Sequence, residues 1–144
     1  MIDVRKATKN DIKKINAINI EAFEKDATSD LEKVLENPVY HVFVATVDDD
    51  EIAGFFEITI VAGEAEIVFI ATKEKYRHQG VADYMMNFIT DYVKLKGASS
   101  IFLEVESSNI PACNLYQKFG FTHEYKRADY YGKNRNAIVM KKVL

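Results

Sequence analysis

Hydrophobic and polar residues follow two different periods along the first quarter of the chain. Residues 2–6 alternate as a short strand does, and after Thr8 the apolar positions recur at spacings of three and four, which predicts a helix. Its buried positions are predicted to be Ile12, Ile15, Ile18, Ala22 and Phe23. Asp11 follows Thr8 at the spacing of a capping box. Ser29 and Glu32 repeat that spacing before a second, shorter helix.

Three apolar segments with strand-like alternation come next, at residues 39–47, 52–61 and 65–71. The turns that separate them, DDDE at 48–51 and AGE at 62–64, are short, so the three strands are predicted to be consecutive and antiparallel.

The helical period returns at residues 80–96, where the apolar positions lie along one face and Gly97 ends the helix. A strand at 101–105, a helix with Pro111 in its first turn and a closing hairpin follow. The complete order is β-α-α-β-β-β-α-β-α-β-β. This order predicts an α/β (α+β) fold with a mixed, mostly antiparallel central sheet and helices on both faces.

Composition narrows the class of protein. A chain of 144 residues that is 48% hydrophobic can bury one core, so a single domain over residues 1–144 is expected. Its 19 Lys and Arg and 22 Asp and Glu give a net charge of −3 without a basic cluster, which argues against nucleic-acid binding. No apolar run reaches the roughly 18 residues of a membrane span, and the N-terminus lacks the order of a signal peptide. We therefore expect a soluble, cytoplasmic protein that does not bind a membrane.

The cysteine and the histidines do not form a metal-binding pattern. Cys113 is the only cysteine, which excludes an intrachain disulfide, and it is expected to be a small buried hydrophobe. His41, His78 and His123 lack the spacing of metal ligands, so no metal site is predicted.

One glycine lies between the third of the three predicted antiparallel strands and the long helix, in YRHQGVA at 76–82. Backbone N–H groups at the start of a helix point outward and carry partial positive charge. Gly80 would let a phosphate approach them without meeting a Cβ atom, and Arg77 could add a charged donor. The alternative is a glycine that only relieves a tight turn. Neither G-x-G-x-x-G nor a P-loop motif is present.

Two segments resemble the GNAT superfamily of N-acetyltransferases. RHQGVA at 77–82 is similar to its R/Q-x-x-G-x-G/A signature. IFLEVESSNIPACNLYQKFGF at 101–121 is similar to the L-E-V-x-x-x-N…L-Y-x-x-x-G-F block of its RimI-like group, which acetylates the N-terminal α-amine of a bacterial ribosomal protein. The resemblance runs from about residue 66 to 140 and implies transfer of an acetyl group from acetyl-coenzyme A to a primary amine.

The resemblance also implies catalytic roles. Glu104 would be the general base that takes a proton from the amine, directly or through water, and Tyr116 the acid that protonates the departing thiolate. Without the resemblance, Glu104 would be interpreted as a solvent-facing residue of an alternating strand, like Glu106, and Tyr116 as a core tyrosine.

Binding residues follow from the same resemblance. The backbone of Ile70, Ala71 and Thr72 would bond the pantetheine arm of the coenzyme. Its phosphates would lie on the loop formed by Arg77, His78, Gln79, Gly80, Val81, Ala82 and Asp83. Asn109 would bond the coenzyme near its acetyl end, cap the following helix, or do both. Tyr130 and Tyr131 would line the acceptor groove or cover a core.

The acceptor is predicted less directly than the reaction. Reference pKa values near ~7.8 for an α-amine and ~10.4 for lysine mean that freeing a lysine costs about 3.5 kcal/mol more, which favours a peptide or protein N-terminus. Residues 22–30 lack the tryptophan usual in the RimI-like group, and Arg135-Asn136 replace its acidic pair. A GNAT enzyme for a small-molecule amine or a lysine, and a non-catalytic acyl-coenzyme A-binding module, are the alternatives.

Overall fold

The computed structural model describes residues 1–23 and 30–144, and this part of the chain forms four α-helices and seven strands. The helices are α1 (Ile12–Phe23), α2 (Leu31–Glu36), α3 (Val81–Leu95) and α4 (Ile110–Lys118). The strands are β1 (Ile2–Lys6), β2 (Tyr40–Val47), β3 (Glu51–Val61), β4 (Glu64–Thr72), β5 (Ser100–Glu106), β6 (Thr122–Gly132) and β7 (Arg135–Val143). Their order along the chain is the predicted one.

The helices begin at their capping signals. A 3-10 turn precedes α1, and there the backbone N–H of Thr8 donates to Asp11 Oδ2 at 2.8 Å, as the capping box predicts. The predicted cap at Ser29 lies outside the described residues, and α2 begins directly after Asp30. Asn109 caps α4, because its side-chain oxygen accepts a hydrogen bond from the N–H of Ala112 at 3.2 Å.

All seven strands form one sheet in the order β1-β2-β3-β4-β5-β7-β6. Neighbouring strands are antiparallel except β4 and β5, which are parallel and pair only through Glu64–Ile67 and Ser100–Leu103. Just beyond these pairs Val68 is an extra residue in the β3–β4 ladder, because Glu57 opposes Phe69 while Ile58 opposes Ile67. Such a bulge bends its strand, and this one lies where β4 leaves β5.

Helices cover both faces of the sheet, as the element order predicts. The larger core lies under α3 and α4 and includes Met85, Met86 and Ile89. The smaller core, on the other face, includes Ile15 and Leu31. There α1 and α2 pack mainly on β2, β3 and β4, so among the described residues this face of β5, β7 and β6 is largely left open by the helices. Within the described ranges, no helix is both long enough and apolar enough to cross a membrane.

One acidic residue is buried in the sheet. Glu57 of β3 is 1% exposed, and alternation places it on the same face as Phe55, in the smaller core. Its Oε1 atom has no hydrogen-bond partner among the described residues, and burial raises its pKa from 4.5 to about 7. Glu57 is therefore a carboxyl group whose ionised form destabilises the fold.

Candidate active site

The gap between β4 and β5 opens into a cleft of about 530 Å³. Its walls come from the two strands, the C-terminal end of α1, the start of α4 and the β6–β7 hairpin. Six residues predicted as site residues line it: Ile70, Glu104, Asn109, Tyr116, Tyr130 and Tyr131. The fold thus brings together side chains that are up to 61 positions apart in the sequence.

Glu104 and Tyr116 reach this cleft from opposite faces of the sheet. Leu103 and Val105 of β5 are buried in the larger core, so Glu104 between them faces the open side. Tyr116 lies on α4, within the larger core, and is 8% exposed. Both border the cleft because β4 and β5 no longer close the sheet at this level. A thioester in the gap would lie between a carboxylate and a phenol.

The phenol of Tyr116 has the properties of a proton donor. Burial raises its pKa above the usual value, with smaller contributions from the neighbouring Cys113 and Tyr131. It therefore stays protonated at neutral pH. Burial also raises the pKa of the Cys113 thiol, which makes a nucleophilic thiolate less accessible there.

Glu104 is held by two residues of β6. Arg127 Nε lies 3.2 Å from Glu104 Oε1, and a hydrogen bond to Glu104 raises the pKa of the Tyr130 hydroxyl. The role of Arg127 was not anticipated from the sequence, because only the path of β6 beside β7 brings it near β5.

Glu106 lies on the same open face as Glu104 and is partly exposed, but it is also part of an ion pair. Its carboxylate pairs with Arg135 at 2.7 Å, and it lines the same cleft as Glu104. The two glutamate side chains are each 25% exposed, so exposure does not distinguish them. Arg135, one of the departures from the RimI-like pattern, therefore lines the cleft beside Glu106.

A third carboxylate of this cleft, Glu66 of β4, was missed by the sequence analysis. Partial burial of its carboxyl group raises its pKa, the nearby charge of Glu104 raises it further, and Arg127 lowers it. The alternation of residues 64–67 placed Glu66 on a polar face. It could not show which strand pairs with β4, and so could not connect Glu66 to Glu104.

The start of α3 forms an open backbone surface. Gly80 adopts a left-handed conformation with φ of 86°, and a Cβ atom added there would meet no atom within 4 Å. Both interpretations of this glycine agree with the geometry, since the turn requires positive φ and the space beside it is open. The first N–H groups of a helix lack intrahelical acceptors, which here applies to Val81, Ala82 and Asp83.

The side chains around this helix start are accessible. Arg77, His78 and Gln79 are exposed. Asp83 pairs with Lys118 of α4 at 2.6 Å, and this pairing offsets a negative charge beside a surface suited to an anion. An anionic group of a ligand can therefore reach both the backbone N–H groups and the guanidinium of Arg77.

The end of β4 links this surface to the cleft. Ala71 and Thr72 pair with β3 on one side, and no pairing with β5 extends beyond Ile67. Backbone groups of residues 68–72 that point toward β5 are thus available to an extended ligand. The residues fit a long molecule with an anionic head and a thioester tip. In the described part of the chain no group of three or more His, Cys, Asp or Glu side chains is placed to hold a metal.

Comparison with known proteins identifies the family. Residues 11–121 match the model of the Acetyltransferase (GNAT) family. A Bacillus subtilis (strain 168) protein with the provisional name ribosomal protein bS18-alanine N-acetyltransferase is 35% identical over 140 residues, which cover 95% of this chain and 92% of that protein.

Solved structures share the fold. The ribosomal-protein-S18-alanine N-acetyltransferase from Escherichia coli superposes with a TM-score of 0.86 at 24% identity, covering 99% of this chain and 94% of the other. The spermidine N-acetyltransferase from Vibrio cholerae, in complex with CoA and spermine, gives 0.85 at 21% identity, with 99% and 95% covered. The predicted fold is thereby confirmed. The chain belongs to the acetyltransferase (GNAT) family and is an acetyl-coenzyme A-dependent N-acetyltransferase.

Proposed function

We propose that this enzyme transfers the acetyl group of acetyl-coenzyme A directly to the N-terminal α-amine of a peptide or protein, with residues 1–144 acting as one domain. The observation that carries the proposal is the position of Glu104 and Tyr116 on opposite sides of the gap between β4 and β5. The 35% identical relative, named for an alanine N-acetyltransferase activity, supports an α-amine as the acceptor.

Acetyl-coenzyme A binds through the backbone in this proposal. Its pyrophosphate lies on the N–H groups at the start of α3, and its pantetheine arm follows the free side of β4. The side chains or backbone groups assigned to this binding are Ile70, Ala71, Thr72, Arg77, His78, Gln79, Gly80, Val81, Ala82, Asp83 and Asn109. This path ends with the acetyl group in the cleft.

The reaction is a direct attack of the amine on the thioester. Glu104 accepts a proton from the acceptor's ammonium group, and the freed nitrogen attacks the carbonyl carbon. The C–S bond then breaks, the phenol of Tyr116 protonates the sulfur, and the second proton that leaves the nitrogen as the amide forms returns to the Tyr116 oxygen, while Glu104 releases its proton to solvent. Because Arg127 pairs with Glu104, the ammonium group of the acceptor must exchange with Arg127 as it approaches.

The acceptor enters from the open face of β5, β7 and β6. Tyr130 and Tyr131 flank this entrance, and the end of α1 lies across from them. An α-amine is the easier substrate, because its deprotonation near neutral pH costs about 3.5 kcal/mol less than that of a lysine.

A second candidate acceptor is a small polyamine. Three glutamates, Glu66, Glu104 and Glu106, line the cleft, and carboxylates attract polycations. The Vibrio cholerae spermidine enzyme has the same fold.

An acceptor comparison tests the proposal. Acetyl-coenzyme A is mixed with a peptide that has a free N-terminal alanine, with the same peptide blocked at its N-terminus and carrying one lysine, or with spermidine. We expect kcat/KM for the free N-terminus to exceed the other two at least tenfold, measured by thiol release and by the mass of the product.

The Glu104→Gln variant is the control for catalysis. It should lower turnover at neutral pH at least tenfold while acetyl-coenzyme A affinity, measured by calorimetry, is kept. A preference for spermidine or lysine would contradict the proposed acceptor. Binding of acetyl-coenzyme A without thiol release for any amine would instead indicate a non-catalytic module.

A further inference from the structure

Arg127 of β6 holds Glu104 by a contact that an approaching acceptor has to break. The two side chains meet at 3.2 Å, between Arg127 Nε and Glu104 Oε1. They are 44% and 25% exposed, so water reaches both. An ion pair of this kind contributes little to stability and can open without leaving a fully buried charge. The ammonium group of the acceptor can therefore replace the guanidinium on Glu104.

Arg135, the arginine that lines the cleft, is held more firmly. Its Nε and Nη2 atoms donate to the two carboxylate oxygens of Glu106, at 3.0 and 2.7 Å. Such a bidentate pair is among the stronger ion pairs of proteins. Arg127 instead directs its Nη2 atom to the hydroxyl of Tyr125, at 3.2 Å. Of the two arginines, Arg127 is therefore the one that can change its anionic partner.

Two tyrosine rings keep the guanidinium of Arg127 beside the cleft. Its central carbon lies 5.6 Å from the centre of the Tyr125 ring and 5.3 Å from the centre of the Tyr130 ring. These cation–π contacts and the hydrogen bond to Tyr125 do not depend on the ion pair with Glu104. When the ion pair opens, the guanidinium thus stays near its place, still charged.

The position of Glu66 makes it a poor replacement partner for this guanidinium. Its charge and that of Arg127 interact, but β5 and β7 lie between β4 and β6 in the sheet. Glu66 is consequently on the far side of Glu104 as seen from Arg127. An ammonium group bound at Glu104 would stand between them. The displaced guanidinium would then face a second positive charge, which is unfavourable unless an anion arrives with the acceptor.

We propose that Arg127 selects acceptors that bring a carboxylate close to the reacting amine, namely peptides or proteins with Asp or Glu as the first or second residue. The ammonium group replaces Arg127 on Glu104, and the carboxylate of the acceptor replaces Glu104 on Arg127. One ion pair of the free enzyme is exchanged for two, and neither charge is left unpaired. Because Arg127 and Glu104 are in contact, the carboxylate has to lie within the first two residues.

This inference rests on the proposed function, since it requires an α-amine acceptor, and it adds the charge of the residues beside that amine. The test uses pairs of peptides that differ only by Asp or Asn, at position one, two or five from a free N-terminus. Asp and Asn have nearly the same size and shape, so each pair isolates the effect of charge. The pair at position five controls for general attraction of an anionic peptide.

Each pair is assayed with the wild type, with two variants that remove the charge, Arg127→Gln and Arg127→Met, and with Lys126→Gln. Lys126 is the matched control, because it is an exposed cation next to Arg127 that alternation places on the other face of β6, and it does not line the cleft. Thiol release gives kcat/KM, and the mass spectrum of the product locates the acetyl group. Calorimetry with acetyl-coenzyme A verifies that each variant is folded.

We expect the wild type to favour Asp over Asn at least tenfold in kcat/KM at position one or two, and less than twofold at position five. In both Arg127 variants this preference should fall below twofold, whereas Lys126→Gln should keep it. The Asn peptides should not become poorer substrates of the Arg127 variants, because their amine no longer has to displace an arginine.

Three outcomes would overturn the proposal: a wild-type preference below twofold at both near positions, an equal preference at position five, or a full preference in a folded Arg127 variant. If one Arg127 variant fails to bind acetyl-coenzyme A, the other decides, and if both fail, the dependence on position in the wild type decides. Equal acetylation of Asp and Asn peptides at the α-amine would refute this inference alone. A preference for spermidine or lysine over every peptide would refute the proposed function itself.

Discussion

At the coenzyme end of the cleft, the contacts assigned to the ligand come largely from the backbone of one stretch, residues 70–83. At the acceptor end they come from side chains on three strands. These are Glu66, Glu104 and Arg127, and the first and last of them are 61 residues apart. A backbone surface is insensitive to most substitutions, whereas a cluster of charged side chains changes with each one. On this assignment the coenzyme end would favour a ligand shared by many enzymes, and the acceptor end would set what distinguishes this one.

If this division is correct, substitutions at the two ends should affect different quantities. Changes around the thioester and the acceptor should alter kcat, and changes at the start of α3 should alter the affinity for acetyl-coenzyme A. A change in the smaller core should alter only stability.

The largest effect is expected from Tyr116→Phe. Removing the hydroxyl leaves the packing of the ring intact but deletes the proton donor to the departing thiolate, so kcat should fall about a hundredfold. Stopped-flow or steady-state thiol release measures kcat, and calorimetry should find the Kd of acetyl-coenzyme A within twofold of wild type.

Tyr92→Phe is the control for losing a tyrosine hydroxyl. This hydroxyl is hydrogen-bonded to His41 Nδ1 at 2.7 Å and does not line the cleft. Its kcat should match wild type. An equal kcat in Tyr116→Phe and wild type would remove Tyr116 from the reaction and leave it a core residue.

An intermediate effect is expected from Gly80→Val, at the other end of the cleft. The new side chain would occupy the open space beside the helix start, so the Kd of acetyl-coenzyme A should rise at least tenfold in calorimetry while kcat at saturating coenzyme is nearly kept. Positive φ also strains the variant by about 1–2 kcal/mol, which alone could weaken binding.

Gly97→Val separates strain from obstruction. Gly97 lies at the opposite end of α3, has φ of 88° and likewise has no atom within 4 Å of an added Cβ. Both variants should lose similar thermal stability, and only Gly80→Val should lose affinity. Equal losses of affinity would favour the tight-turn interpretation of Gly80.

The smallest effect on activity is expected from Glu57→Gln, which should change stability instead. In the folded protein the pKa of Glu57 is about 7 against an ordinary 4.5, so the folded state binds more protons between these values. The free energy of unfolding of the wild type should therefore fall as pH rises from about 4.5 to 7 and change little beyond. The variant lacks this fall. The difference in free energy of unfolding between the variant and the wild type should therefore shift in favour of the variant by up to about 3 kcal/mol from pH 4 to pH 8.

Urea unfolding at pH 4, 6 and 8 measures this difference, and kcat at pH 7 should change less than twofold. A wild-type stability that rises over the same pH range in step with the variant would contradict a buried, ionising Glu57. A large loss of kcat would break the separation between the smaller core and the cleft.

The sequence sufficed for the elements of the fold because local signals specify them. Apolar periodicity, the Thr8–Asp11 capping box and the cap at Asn109 all act within a few residues. The Ser29 cap lies outside the described residues. The residues assigned to the coenzyme end are nearly contiguous, so one short motif, RHQGVA at 77–82, was enough to propose them by resemblance, and their role stays a prediction.

The acceptor end could be predicted only in part, because it depends on strand pairing. Glu104 was proposed through the resemblance to a family, and Glu66 and Arg127 had no such signal. Alternation tells which residues of a strand share a face, but not that β4 runs parallel to β5 or that β6 lies outside β7. The ion pair of Glu106 was not anticipated for the same reason, since its partner Arg135 is 29 residues away.

Four residue pairs form the backbone ladder between β4 and β5, and this ladder joins the first four strands to the last three. Beyond this ladder, residues 68–72 have no pairing with β5. A pantetheine chain bonded along residues 68–72 would take the place of that missing strand and protect their backbone N–H groups. Deuterium should then replace the amide hydrogens of this segment more slowly in the presence of coenzyme than in its absence.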